Sequence, residues 1–575
     1  MNLKKPFSGA LMTLAVFVLV FSFIPRTRPD PQTDPMTADL SEGACTVIMV
    51  GKNASTDGST MATHTCDCGT CDWTWRHVPA ADHKAGEMRR IFHINQYKTW
   101  PLEQGLKWDL YKNDFTGLEI PEIPHTFAYH HGMFGYMNEN QVAIGESTIG
   151  NVRKIENTTP TPAFDITMLT LIAMERCRTA REAIQLMGSL AEKYGYGYND
   201  GGEMLAVHDP NEVWVFEIMP VGPLWTPKTG KPGAVWCAQR VPDDQVSVCP
   251  NESRIGEIDL KNKDLFMASA HVVSLAVEHG LYDPKGGKPF SWKRAYSTSE
   301  GSATSSDGRR ARLWRFFNIV APSLKIGPDT PDMDYPFSVK PDNKISIQDV
   351  MAMTRDRAQG TQFDRVKGLR GGPFANPNYY STTRAISTPS VEYTTITQCR
   401  GWLPGPIGGI VWLSFGLQDT SCYMPLYAGI TDVPASFKIG DHWILNRDSA
   451  RWAFDYVDFQ TQVVYNSAIE DVKKAQADWE AKTVARIPEI DKEALERYNK
   501  SKDEGIGYLD GFCLAHADNV VKAWWKLGDD ILVKYNKLSL YDTAKRTKDR
   551  LKPGYPDWWR KAIKVYDAIS EPTEK

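Results

Sequence analysis

A cysteine at the head of a β-hairpin constrains this chain more than any other feature. Cys45 follows the small residues Gly43 and Ala44 and precedes the apolar, β-branched run Thr46-Val47-Ile48-Met49-Val50. A turn-rich segment with Asn53, Ser55, Asp57, Gly58 and Ser59 comes next, and then a second β-prone run, Thr60-Met61-Ala62-Thr63-His64-Thr65. The pattern predicts a hairpin with Cys45 at the first residue of its first strand. By default such a cysteine is a small buried hydrophobe. A cut between Ala44 and Cys45 changes its chemistry, because one residue then carries a thiol and a free α-amine. That amine titrates at about 7.7–8.0, so a useful fraction is neutral at neutral pH. Nucleophile and base would share one residue.

The stretch from Cys45 through Gly51-Lys52-Asn53-Ala54-Ser55 to Asp57-Gly58-Ser59 closely resembles the start of mature C69-type dipeptidases. These are cysteine members of the N-terminal-nucleophile hydrolases, related to secernins and more distantly to bile salt hydrolases and penicillin V acylase. The resemblance returns around Asn138-Glu139, Arg240-Val241-Pro242-Asp243-Asp244 and Asn251-Glu252-Ser253-Arg254, and covers most of the chain from Cys45 onward. It implies an α+β fold: a four-layer αββα sandwich over residues 45–460, followed by a helical C-terminal extension over 461–575. It also implies a dipeptide or small amide as substrate, no metal or other cofactor, and a homo-oligomer.

The resemblance further supplies a candidate site. Cys45 is the nucleophile. Asn138 and Asn251 are oxyanion donors, since side-chain amides at strand ends can face a developing negative charge. Arg312 is the nearest match to an active-site arginine of related acylases. The wider group carries an Arg and an Asp three residues apart after the first hairpin, the Asp contacting the nucleophile's amine. Here that spacing gives His64 and Asp67, so the Asp is kept and the Arg is not. A protonated His64 could supply the missing charge, given its ordinary pKa of about 6.5. An N-acyl amide hydrolase on the same fold, or an exported binding protein with a dead pocket, are the alternatives. A metallopeptidase is disfavoured, since no His-Glu-x-x-His occurs.

The N-terminus predicts export. Lys4 and Lys5 precede residues 7–24, which are uncharged and mostly apolar. That length suits either a signal peptide or an anchor that could tether the chain to a membrane. Residues 25–44, with Pro25, Pro29, Pro31 and Pro35, form an extended spacer, which the resemblance makes a propeptide. The protein would be periplasmic, cell-surface or secreted. A formal net charge of -4 gives no electrostatic case for nucleic acid. Ten cysteines in an exported chain allow disulfides, and the dense cluster Cys66, Cys68 and Cys71 suggests one, because a metal site would want a matching second half. Downstream, Asp165 and Thr179 are positioned to cap two helices. Residues 203–208 and 213–218 form a buried hairpin, 345–357 a helix, and 515–535 an amphipathic helix.

Overall fold

The computed structural model describes residues 45–94, 115–197, 201–297, 306–378, 383–440, 442–546 and 555–570. The expected export segment and spacer, residues 1–44, lie outside them. Two antiparallel sheets form the body. The first has six strands in the order Val246–Cys249, Val47–Val50, Thr60–Thr65, Tyr393–Cys399, Gly409–Phe415 and Met424–Tyr427. The second has eight, in the order Phe266–Ala268, Val235–Val241, Val213–Met219, Glu203–His208, Ala143–Thr148, Gly135–Asn138, Tyr129–His131 and Arg76–Val78. The expected hairpins at Thr60 and at Glu203 are present. Helix Ile347–Thr354 is shorter than the 345–357 expected and is capped by Ser346.

The first strand shows how one run of residues feeds two layers. Ile48 and Val50 enter one apolar cluster, while Val47 and Met49 enter another. Alternate side chains of a strand point to opposite faces, so every residue of Val47–Val50 is buried. Helix Ile166–Arg176 lies against Gly135–Asn138, and Ala180–Tyr194 lies on the three strands Glu203–His208, Val213–Met219 and Val235–Val241. Their N-caps follow the sequence. Asp165 accepts from Met168 N–H, and Thr179 accepts from Glu182 N–H, contacts each worth about 1 kcal/mol. The long helices Tyr465–Lys500 and Lys502–Lys534 pack together, and the second also packs on helix Ala450–Gln462 and on strand Met424–Tyr427. Trp524 of the second adds a bond to the short turn Gln418–Thr420, donating to the Thr420 carbonyl at 2.9 Å. Among the described residues, no helix is long and apolar enough to cross a membrane.

The two sheets meet face to face, with Thr60–Thr65 and Tyr393–Cys399 against Ala143–Thr148. The layer between them is partly polar. His208 bridges it, its Nδ1 3.0 Å from Thr60 Oγ1 and its Nε2 2.7 Å from Thr397 Oγ1. Burial holds its pKa down at about 3, so it bridges as a neutral ring. The closest approach is at Gly145. A Cβ there would stand 2.4 Å from the Thr63 carbonyl oxygen. A backbone oxygen cannot step aside as a flexible side chain can, so only glycine allows this spacing.

Gly145→Ala should therefore force the sheets apart. The expected result is a loss of about 1–3 kcal/mol in stability, read by thermal or urea unfolding, together with displacement of the neighbouring Glu146. Unchanged stability would show that the sheets tolerate a wider gap.

Candidate active site

Cys45 stands two residues before the first strand, not on its first residue as the pattern suggested. Threonine hydroxyls hold it there. Thr65 Oγ1 accepts the Thr46 N–H at 2.8 Å, and Thr63 Oγ1 accepts the Ile48 N–H at 2.8 Å. The turn that closes the hairpin is built as the sequence indicates. Gly58 takes φ 85°, and Asp57 Oδ1 accepts from Ser59 N–H at 3.0 Å.

Arg312, on helix Ser306–Val320, grips the main chain of this region. Its Nη1 donates to the Cys45 carbonyl at 3.0 Å, to Thr46 Oγ1 at 2.8 Å and to Asn251 Oδ1 at 3.0 Å. Its Nη2 donates to the Pro250 carbonyl at 2.9 Å. Ser147 Oγ also donates to the Cys45 carbonyl, at 3.4 Å. Asn251 adopts φ 63°, a left-handed conformation that Asn tolerates better than most residues. Its amide donates to the Thr148 carbonyl at 2.9 Å and to Ser147 Oγ at 3.3 Å. Burial and the nearby Arg384 press the pKa of Arg312 down, while Asp67 opposes them.

The thiol faces His64, with Cys45 Sγ 3.3 Å from His64 Nε2. The same nitrogen lies 3.2 Å from Glu146 Oε2. The other ring nitrogen, Nδ1, is 2.6 Å from the Tyr136 hydroxyl, which is 2.6 Å from that of Tyr393. Tyr393 in turn accepts the Met133 N–H at 3.0 Å. Both imidazole nitrogens are therefore fixed, and a protonated ring would donate to Tyr136 on one side and to Glu146 and the sulfur on the other. Burial works to raise the Glu146 carboxyl, but hydrogen bonding and charge from His64, with hydrogen bonds from Glu203 and Cys45, outweigh it and the net direction is down.

Asp67 completes the group. Arg384 Nη2 donates to its Oδ2 at 2.5 Å, and Thr65 Oγ1 donates to the same oxygen at 3.1 Å. Its Oδ1 is buried and has no hydrogen-bond partner among the described residues. Burial lifts its pKa to about 6, with Arg384 and Arg312 holding it from rising further. The Cys45 thiol is pushed well up by burial, and then by the charges of Glu146, Asp67 and Cys66; the Asp67 backbone N–H works the other way. Asp67 is thus offset by Arg384 and Arg312, and Glu146 by His64, around a neutral thiol. A thiolate would need one further positive charge, because an unpaired buried charge is costly.

Five of the six residues expected from the sequence converge here: Cys45, His64, Asp67, Asn251 and Arg312. Asn138 does not. Its amide donates to the carbonyls of Met174 at 3.0 Å and Cys177 at 2.8 Å, and its Oδ1 accepts from Asn140 and Val142 N–H at 3.0 Å each. All its polar capacity goes into closing helix Ile166–Arg176 and its own turn, so the oxyanion role expected of it is corrected to a structural one. Glu146, Ser147, Tyr136, Tyr393 and Arg384 were not singled out. Glu146 carried one usable signal, a carboxylate within a run of buried strand residues. Cys68 and Cys71 form a local disulfide.

The sequence pattern of peptidase family C69 matches residues 44–478. Among curated proteins, a probable dipeptidase of Salmonella dublin is 29% identical over 396 residues, covering 67% of this chain and 81% of its own length. Dipeptidase A of Lactobacillus helveticus is 25% identical over 419 residues, covering 71% of this chain and 80% of its own. Among solved structures, penicillin V acylase from Agrobacterium tumefaciens matches at 12% identity and a TM-score of 0.29, covering 67% of this chain and 86% of its own.

Asn138→Ala should cost about 3 kcal/mol, as stranding a buried backbone group costs about 1–3 kcal/mol. In the protein that remains folded, the rate at which iodoacetamide alkylates Cys45 should stay near that of the parent. A large change in that rate with no change in stability would return Asn138 to the site.

Proposed function

Because the chain belongs to peptidase family C69, we propose that it hydrolyses dipeptides, with Cys45 exposed as the first residue of the processed chain and acting as the nucleophile. The two facing sheets with helices on each outer side are, on this reading, the four-layer sandwich of an N-terminal-nucleophile hydrolase. Residues 1–44 would direct export and then be removed. The observation that carries the proposal is the environment of Cys45. A thiol with a strongly raised pKa lies 3.3 Å from an imidazole, and its neighbour Asp67 has one buried carboxylate oxygen still without a donor. The freed α-ammonium is the donor that would complete Asp67.

The steps follow from these groups. The α-amine of Cys45 takes the thiol proton, directly or through water. Sulfur bonds to the amide carbon while the carbonyl π electrons move to oxygen. Asn251 can donate to that oxygen by giving up its long bond to Ser147, while the Asp67 N–H holds the sulfur. The C–N bond then breaks, and the leaving amine takes the proton from the α-ammonium. The amine next activates a water, which cleaves the thioester and releases the acid. His64 acts in parallel. As an imidazolium held by Glu146 and Tyr136, it supplies the positive charge that offsets the thiolate, in the place where the wider group carries an arginine. Arg312 and Ser147 position Cys45 through its main chain.

Intact mass and N-terminal sequencing of the active protein should give Cys45 first, and Cys45→Ala should abolish turnover of a dipeptide panel while leaving the fold intact. Activity on N-acyl amides without any on dipeptides would overturn the substrate proposed.

A second test uses pH. The carboxylate form of Asp67 holds the amine, so activity falls as pH drops through its pKa. Arg384 lowers that pKa. Arg384→Gln should then move the acid limb of kcat/KM to higher pH, with Arg384→Lys closer to the parent. An unmoved limb would remove Asp67 from the mechanism.

A further inference from the structure

Cys45 Sγ, His64 Nε2 and Glu146 each offer one ligand atom, and the three atoms lie within 4.8 Å of one another. We propose that the mature chain binds one thiophilic divalent cation, zinc by preference, between these three side chains, and that the bound ion reversibly blocks the nucleophile. This rests on the reading of Cys45 as a processed N-terminal residue.

The chemistry of the donor set comes first. Thiolate, imidazole and carboxylate are the ligands of tetrahedral zinc, at about 2.3 Å for sulfur and about 2.0–2.2 Å for nitrogen and oxygen. Tetrahedral angles with those bonds put nitrogen about 3.6 Å from sulfur and about 3.4 Å from oxygen. The structure has 3.3 Å and 3.2 Å. Each pair needs to open by only a few tenths of an ångström.

The support behind the ligands is also present. A ligating imidazole is ordinarily fixed through its other nitrogen, and Tyr136 does this at His64 Nδ1 at 2.6 Å. Thr148 Oγ1 donates to Glu146 Oε1 at 3.1 Å and leaves Oε2 to face the ion. All three ligands are buried, with exposures of 4%, 0% and 2% for Cys45, His64 and Glu146. The fourth position falls to the α-amine of Cys45. Thiolate and amine of one cysteine close a five-membered ring on a metal. Binding releases the thiol proton, and the two negative charges of thiolate and Glu146 then match the ion. Nucleophile, base and imidazole are all occupied at once.

Cys66, Cys68 and Cys71 form the other group of clustered donors among the described residues. With the Cys68–Cys71 disulfide closed, only one thiol remains there, so the oxidised protein separates the two groups.

The test is equilibrium dialysis of the mature, oxidised protein against zinc chloride at micromolar concentration, with cobalt chloride as a spectroscopic probe. The expected result is one ion per chain, a thiolate-to-cobalt charge-transfer band, and loss of turnover that EDTA restores. Cys45→Ser and Glu146→Gln should each weaken zinc by at least about 10–100-fold, the loss seen even when an outer partner of a ligand is removed. Cys45→Ser is nearly isosteric and keeps the test valid should Glu146→Gln fail to fold. Zinc held equally by Cys45→Ser, or no uptake by the parent protein, would overturn the proposal. Turnover by metal-free parent protein reports on the dipeptidase reading alone, and the binding isotherm reports on the ion site alone.

Discussion

A single guanidinium ties the site together. Arg312 reaches the carbonyl of Cys45, the hydroxyl of Thr46, the carbonyl of Pro250 and the side chain of Asn251. These groups lie just beyond the paired ends of two neighbouring strands of the first sheet, Val47–Val50 and Val246–Cys249, and the arginine comes from a helix far along the chain. Its five donors in a planar fork suit a task of this kind better than a lysine would. The cost is a cation sealed from water. Asp67, itself paired with Arg384, sits close enough to offset it.

From that arrangement comes the charge economy of the thiol. Asp67 and Glu146 oppose a thiolate; Arg384 and Arg312 offset the first and His64 the second. Burial adds a further penalty. The thiol therefore stays protonated until a group beside it can take its proton and keep the charge. The imidazole 3.3 Å away is one group so placed, and on the proposed reading the amine of a processed Cys45 is the other. A site of this kind resists adventitious alkylation and oxidation, since the reactive form of cysteine is the thiolate.

Much of this was legible in the residues. The β-branched run after Cys45 and the Asp57-Gly58 turn announced the hairpin, and Asp165 and Thr179 announced their helices. Five of the residues that the family resemblance put forward lie together around Cys45. What escaped was of another kind. Glu146 meets His64 only because two sheets close on each other at Gly145, and no local pattern encodes which strands of different sheets will face. Tyr136 and Tyr393 are far apart in sequence and touch only through the same contact. Asn138 was misjudged for a related reason. Its turn was readable, but the end of a helix that begins far downstream takes its amide.

One consequence follows from how Cys45 is held. Among the described residues, its anchors run through its carbonyl and its sulfur, to Arg312, Ser147 and His64. On the proposed reading, these contacts around Cys45 are in place before the cut. Latency of such a zymogen would then lie in one bond: an amide nitrogen is no base, whereas the amine released from it is. Activation would be a change of basicity at a single atom, with no refolding to wait for.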